Sequence, residues 1–427
     1  MKISFLTIGC KVNFYDSSAM AELLAHEGYE IVEQVSLADI AIVNTCAVTA
    51  EAQRKSRQAL RRIRREYPRI KLIGAGCALQ HGALQDIEMD AYIGTSNRAD
   101  IVQGVRAALA GDVWEPTDMP EKLAYEELPA PMEQGRTRAH LKIQDGCDAF
   151  CTYCIIAHLR GAPRSRPLEN IRAEAQRFVA AGYREIVLVG INLSRYGCDL
   201  PGEVSLGDAL EAACVPQARI RLGSLEAEGL DEALLQRLAG NAQVCPHLHV
   251  SLQSGSDSVL KRMGRRYTAQ RFAQRMAFAR SIWPDVAFTT DVIVGFPGES
   301  VQEHQESLDF VRDMRFAKVH VFRYSPREGT PAATMPDQVP KALAIERAAQ
   351  MSAVSDALQA QFYQGLVGSV QPVLFESPVR AQRGWMEGYT PNYARVLARV
   401  DDARGKIIPV RIEQVGAEHV IGSVIEN

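Results

Sequence analysis

Through roughly the first 110 residues, short apolar runs alternate with longer segments of helical period. Ile3–Thr7, Ile40–Asn44 and Lys71–Ala75 read as strands, with Asn13–His26 and Ala47–Tyr67 as helices between them. A repeating strand–helix–strand pattern predicts a mostly parallel sheet. Asp112–Arg136 is rich in Pro and Glu, has no clear period and reads as a linker. The alternation resumes at Ala139. Strand candidates are His140–Ile143, Glu185–Val189, Arg219–Gly223, His247–Leu252, Phe288–Val294 and Lys318–Phe322. Six such units predict a partial (β/α) barrel with its active site at the C-terminal ends of the strands. Pro340–Gly365 reads as a long helix leaving the barrel. Val370–Leu374, Arg395–Val400 and Ile407–Val415 then predict a small antiparallel β module. The expected units are therefore 1–111, a linker at 112–136, 137–365 and 366–427.

Composition adds little beyond class. A chain of 427 residues, 47% hydrophobic and 23% charged, suits a globular protein of several domains. The net charge of −3 gives no global basic field, so any nucleic-acid contact must be local. Met1–Thr7 lacks the pattern of a signal peptide, and no apolar run is long enough to span a bilayer. A cytoplasmic, reducing setting is the expectation, in which nine cysteines are candidates for metal ligation.

Cys147, Cys151 and Cys154 form a CxxxCxxC loop directly after the first barrel strand. Three thiolates so spaced can hold three irons of a [4Fe–4S] cubane. The fourth iron then lacks a protein ligand and can be chelated by the amino and carboxylate groups of S-adenosylmethionine (SAM). Reductive cleavage of the sulfonium bond would yield a 5′-deoxyadenosyl radical. The rival is zinc, with His158 completing a Cys₃His set, although structural zinc sites usually draw ligands from two separate knuckles.

Cys10, Cys46 and Cys77 form a second set. Each follows a predicted strand, and their separations match βαβ units of about 30 residues or more. Neighbouring parallel strands end on one edge, so these three should meet in space. Gly9, Gly74 and Gly76 supply tight backbone nearby. The alternative is three buried, inert thiols. Cys198, Cys214 and Cys245 share no position or spacing and read as structural.

With these motifs in place, the chain resembles the methylthiotransferase family over nearly its whole length. The resemblance rests on Gly9-Cys-Lys-Val-Asn13, Val43-Asn-Thr-Cys-Ala-Val-Thr49 and Leu141 through Cys154. It continues through Arg160-Gly161, Arg164-Ser-Arg166, Leu252-Gln-Ser-Gly-Ser256 and Thr290 through Glu299. It implies an N-terminal methylthiotransferase domain, a radical-SAM barrel and a C-terminal TRAM domain that binds RNA. It also implies two [4Fe–4S] clusters, SAM, a tRNA anticodon stem-loop as substrate, and an electron donor such as flavodoxin or ferredoxin. Lys11-Val12 beside Cys10 is similar to the subgroup that methylthiolates N6-threonylcarbamoyladenosine beside the anticodon. Subgroups acting on isopentenyladenosine or on a ribosomal-protein aspartate usually differ there. Ala157-His158-Leu159, and Ala78-Leu79-Gln80 after Cys77, depart from the family pattern without removing a cysteine.

Other candidates are open to two readings. Gly190, Asn192, Ser224, Glu226, Gln253, Ser254 and Asp291 lie at strand ends, as SAM contacts or as support for the fold. The basic run Arg54–Arg65 is a phosphate-binding face or a solvated one. Tyr389 and Tyr393 stack on bases or fill the small barrel's core. Arg160, Arg164 and Arg166 hold a substrate carboxylate or pair with acids such as Glu169 and Glu174. Alternative functions are methylthiolation of isopentenyladenosine, a non-catalytic iron–sulfur RNA-binding sensor, and a zinc-stabilised RNA-binding protein.

Overall fold

The computed structural model describes residues 1–84, 86–115, 123–129, 136–380 and 382–425. The first sheet contains β1 (Lys2–Thr7), β2 (Glu30–Val32), β3 (Ile40–Thr45), β4 (Lys71–Gly76) and β5 (Ala91–Ile93). Its strands are all parallel, in the order β2-β1-β3-β4-β5. The helices are α1 (Lys11–His26), α2 (Ala50–Glu66), α3 (Cys77–Gln80) and α4 (Ile101–Ala110). β3 is buried on both faces, as its unbroken apolar start requires. Helix α2 begins at Ala50, not Ala47, because the Thr49 side chain accepts from the Ala52 N–H and caps it there. β2 and β5, three residues each, are too short to show a period in the sequence.

The central unit contains β6 (Ala139–Lys142), β7 (Gln144–Asp145), α5 (Ile156–Arg160), β8 (Arg164–Ser165) and α6 (Leu168–Ala180). It continues with β9 (Glu185–Val189), α7 (Leu206–Ala213), β10 (Arg219–Leu222), β11 (Ser224–Glu226) and α8 (Glu232–Ala239). β12 (His247–Ser251), α9 (Asp257–Arg262), α10 (Ala269–Ile282), β13 (Ala287–Val294), α11 (Val301–Met314) and β14 (Lys318–Arg323) complete it. β10-β9-β6 and β11-β12-β13-β14 are two all-parallel sheets. The strand expected over Arg219–Gly223 is β10, and β11, which was not expected, follows it directly. The chain breaks at Gly223, where β10 ends in one sheet and β11 begins in the other.

Helix α12 (Lys341–Leu366) packs on β14 and leads to a closed five-stranded barrel. Its strands are β15 (Val370–Pro378), β16 (Trp385–Tyr389), β17 (Arg395–Arg399), β18 (Ile407–Val415) and β19 (Val420–Val424), ordered β15-β16-β17-β19-β18. No helix among the described residues is long and apolar enough to cross a membrane.

A buried ion network joins the first sheet to the barrel. Arg98 pairs with Asp16 of α1 (2.8 Å), Asp145 of β7 (3.0 Å) and Glu126 (2.7 Å). Lys142 of β6 pairs with Asp16 (2.7 Å) and Asp145 (2.6 Å). Arg160 of α5 reaches Asp145 (3.0 Å) and Asp16 (3.3 Å). The predicted linker thus does more than connect. Its residues 116–122 and 130–135 lie outside the described residues, but Glu126 joins the network and Tyr125 donates to the Lys142 carbonyl (2.7 Å). Burial alone raises the Asp16 and Asp145 carboxyls, but the surrounding cations outweigh it and leave both below the usual range, Asp145 far below.

Removing one member of such a network strands the opposite charge. Arg98→Met should therefore lower unfolding free energy by about 3–5 kcal/mol, measured by denaturant titration at neutral pH. The two depressed carboxyls stabilise the fold fully above the unfolded value of about 3.9. That contribution should fade as pH falls below this value toward their folded-state values. The acid-unfolding transition of the variant should be less steep than that of the unaltered chain.

Candidate active site

β1, β3 and β4 are neighbours in register, with Thr7 beside Asn44 and Thr45 beside Gly76. Their C-terminal ends carry Cys10, Cys46 and Cys77 onto one edge. Side-chain amides lash this edge together. Asn13 Nδ2 donates to the Ile8 and Thr45 carbonyls (3.0 and 2.9 Å), and Asn44 Nδ2 donates to the Asn13 carbonyl (2.9 Å). Thr45 Oγ1 donates to the Ala75 carbonyl (2.6 Å). Two glycines have no substitute here. A Cβ on Gly9, at φ +127°, would lie 2.9 Å from Cys46 Cβ, and one on Gly76, at φ +92°, would lie 2.2 Å from Asn44 Oδ1.

The three thiols act electrostatically on one another. Arg160 Nε donates to Cys77 Sγ (3.4 Å), and the Val48 N–H donates to Cys46 Sγ (3.5 Å). Cys10 is open to a cavity, whereas Cys46 and Cys77 are buried. Burial pushes the Cys46 thiol up to about 12.

Cys147, Cys151 and Cys154 also interact with one another, on the loop between β7 and α5. Cys147 Sγ accepts from the Ala149 N–H (3.5 Å) and from Asn192 Nδ2 (3.6 Å). Cys151 Sγ accepts from Arg265 Nη1 (3.4 Å). Burial pushes Cys154 up to about 12. Cys198, Cys214 and Cys245 join neither triad; Cys214 accepts from Asn241 (3.3 Å) and Cys245 is buried beside Arg221.

A cavity of about 900 Å³ runs from Cys10 into the barrel lumen. Alternate residues of the parallel strands face it: Val187 and Val189, His247 and His249, Thr289 and Asp291. Its far wall comes from the last barrel, through Glu376 and Tyr393. A second cavity of about 240 Å³ lies beside Cys151.

The strand-end candidates divide between these spaces. Gly190, Ser224 and Asp291 line the larger one, where Asp291 pairs with His249 (3.3 Å) and Ser224 Oγ meets Ser251 Oγ (3.1 Å). Asn192 and Glu226 line the smaller one. Asn192 Oδ1 is buried without a partner, and Glu226 pairs with Arg265. Gln253 and Ser254 line neither. The Gln253 backbone, at φ +67°, bonds to β13, and Ser254 Oγ accepts from the Ser256 N–H.

Arg160, Arg164 and Arg166 are not available to a substrate. All three are buried. Arg160 belongs to the ion network. Arg164 Nη1 donates to the Arg160 carbonyl (2.6 Å). Arg166 pairs with Glu127 (2.7 Å) and with Glu174. On α2, every basic side chain of the Arg54–Arg65 run has an acid nearby, yet most remain solvent-exposed.

Tyr389 and Tyr393 neither fill the small barrel nor project freely. They stack on each other (5.1 Å), and Tyr393 stacks on His247 (4.8 Å), with Arg138 and Arg221 over its ring. Arg138 and Arg265 were missed in the sequence. Each lies outside any motif and gains its role only through partners distant along the chain.

A model of the Radical SAM superfamily matches residues 141–311, and one of the Uncharacterized protein family UPF0004 matches residues 2–94. The threonylcarbamoyladenosine tRNA methylthiotransferase MtaB of Bacillus subtilis is 36% identical over 437 residues, covering 99% of this chain and 96% of that protein. The chain belongs to the radical-SAM methylthiotransferase family. The tRNA-2-methylthio-N(6)-dimethylallyladenosine synthase of Syntrophobacter fumaroxidans is 34% identical over 438 residues, covering 99% and 95% of the two chains. Among solved structures, the radical S-adenosylmethionine methyltransferase TsrM of Kitasatospora setae, with tryptophan and a SAM analogue bound, superposes with a TM-score of 0.57. It covers 88% of this chain and 79% of that one at 13% identity, a likeness of fold.

This methylthiotransferase is a transferase that uses SAM and [4Fe–4S] clusters. Its residues suit that chemistry. Each triad is all-thiol, and N–H donors point at sulfur in both. A thiolate in so buried a place needs a cation beside it, which iron supplies. Among the described residues no three His, Cys, Asp or Glu close in far enough to grip a single ion. Sulfurs bound to separate irons of a cubane stand farther apart.

Proposed function

We propose that this enzyme converts N6-threonylcarbamoyladenosine, beside the anticodon of tRNA, into its 2-methylthio form. The supporting observation is a cavity that opens at Cys10 and runs into the barrel as far as Gly190. Cys10 lies at one end, and Gly190 lies two residues from Asn192, whose amide touches Cys147. The full-length match to the Bacillus subtilis enzyme supplies the nucleoside.

In this reading Cys147, Cys151 and Cys154 hold the SAM-binding cluster, and Cys10, Cys46 and Cys77 hold the cluster that carries the transferred sulfur. Bound cofactors supply the one-electron chemistry that replaces an unactivated C–H bond at carbon 2 of adenine with C–S. The chain's own residues position and shield. Asn192 fixes the first cysteine of the loop, and its free Oδ1 is ready for a ligand donor. Gly190, Ser224, Glu226 and Asp291 offer backbone and polar groups to SAM, with Gln253 and Ser254 supporting the strand ends. Val187 and Val189 give the base an apolar wall that keeps out water. The base must leave its loop to arrive there.

Residues 1–111, 137–365 and 366–427 are read as methylthiotransferase, radical-SAM and TRAM domains, acting in the cytoplasm on the anticodon stem-loop. A flavodoxin or ferredoxin is the expected electron donor.

Two outcomes follow. Changing Cys147, Cys151 and Cys154 to Ala should abolish SAM cleavage. The same change at Cys10, Cys46 and Cys77 should spare part of it but stop sulfur transfer. Either variant should lose about half the iron. Methylthiolated product from the N-terminal variant would contradict the sulfur-site role. In parallel reactions on the two modified tRNAs, nucleoside mass spectrometry should show product from the threonylcarbamoyl form. Product from the isopentenyl form alone would sink the substrate assignment.

A further inference from the structure

Among the described residues that line the large cavity is a cation that makes no ion pair. Its carboxylates already have partners: Glu376 pairs with Arg138 (2.6 Å), and Asp291 lies 3.3 Å from His249 Nε2. Behind the wall, Glu185 is held by Arg219 (2.6 Å) and Arg221 (2.8 Å). Lys11 lines the same space, directly after Cys10, and no carboxylate among the described residues lies within ion-pair reach of it. Arg138, Arg221, His247, His320 and Tyr393 line the same cavity, and Glu185 behind the wall is already paired.

We propose that Lys11 pairs with the carboxylate of the threonylcarbamoyl group and thereby selects that nucleoside, an inference that rests on the substrate reading above. The position suits the chemistry. Lys11 adjoins Cys10, so a base gripped by its side-chain carboxylate is held beside the cysteine assigned to the sulfur site. The adenine then faces Val187, Val189 and Tyr393. An isopentenyl group offers no anion and would leave the ammonium desolvated and unpaired. A site built around a buried polar group rejects a ligand lacking the partner far more strongly than an apolar pocket rejects an extra methylene.

A tRNA phosphate is the other anion that could reach Lys11, and the test separates the two sources. Three synthetic anticodon stem-loops are compared: threonylcarbamoyl acid, its carboxamide, and isopentenyl. With unaltered holoenzyme, kcat/KM should fall roughly ten- to a hundredfold from acid to amide, the value of a charge-assisted bond. In Lys11→Gln that ratio should collapse toward one, with affinity for the acid RNA, titrated without SAM, reduced to that for the amide. Lys11→Arg should keep the preference. An equal loss on acid and amide in Lys11→Gln would mark a phosphate contact and overturn the proposal. So would an unaltered enzyme indifferent to the acid. If Lys11→Gln does not load iron, the unaltered enzyme's ratio and Lys11→Arg still decide. Product from the isopentenyl RNA alone with unaltered enzyme would overturn the substrate reading and this assignment together, and it is recognisable because the acid RNA is then inert.

Discussion

The buried network of Asp16, Arg98, Lys142, Asp145 and Arg160 is the constraint on which the arrangement of the site depends. Asp16 lies on the helix that starts at Cys10. Asp145 lies two residues before Cys147. Arg160 ends the helix that follows Cys154, and its Nε reaches Cys77. Asp16, Asp145 and Arg160 are therefore each tied to one or other cysteine triad. Burying so many ions is costly unless every one finds a partner of opposite sign. That requirement sets the position of the first sheet against the barrel more tightly than apolar packing alone, which tolerates sliding. Arg160 also places a positive charge where the N-terminal triad gathers negative charge.

Much of this was legible in the sequence. Strands such as Ile40–Thr45 are apolar throughout, and parallel order follows from helices between strands. The rule that neighbouring parallel strands end on one edge brought Cys10, Cys46 and Cys77 together before any coordinates. Short elements were not legible, because three residues carry no period. Gly223 marks a break between two sheets, but a single glycine in an apolar run does not announce one.

The arginines show where reading by residue type fails. Arg160, Arg164 and Arg166 sit just past the central cysteines and read either as substrate contacts or as partners of acids; Arg166 does meet Glu174, whereas Arg160 and Arg164 take Asp145, which the sequence did not suggest. Lys11 looks like an ordinary first residue of a helix, yet it lines the cavity and makes no ion pair among the described residues. Whether a charge serves the fold or a ligand is decided by its long-range partners. Tyr393 makes the same point: its stacking on His247 turns the last barrel from an appendage into a wall of the cavity.

The central claim is that the ion network holds the two cysteine triads in one fixed relation. Pulsed dipolar EPR on the doubly reduced holoenzyme tests it most directly, by comparing the inter-cluster distance distribution of the unaltered chain with that of Asp16→Asn, which keeps all six triad cysteines. A single narrow distribution that broadens in the variant is the expected result. A narrow distribution unchanged by the substitution, at full iron content, would contradict the claim.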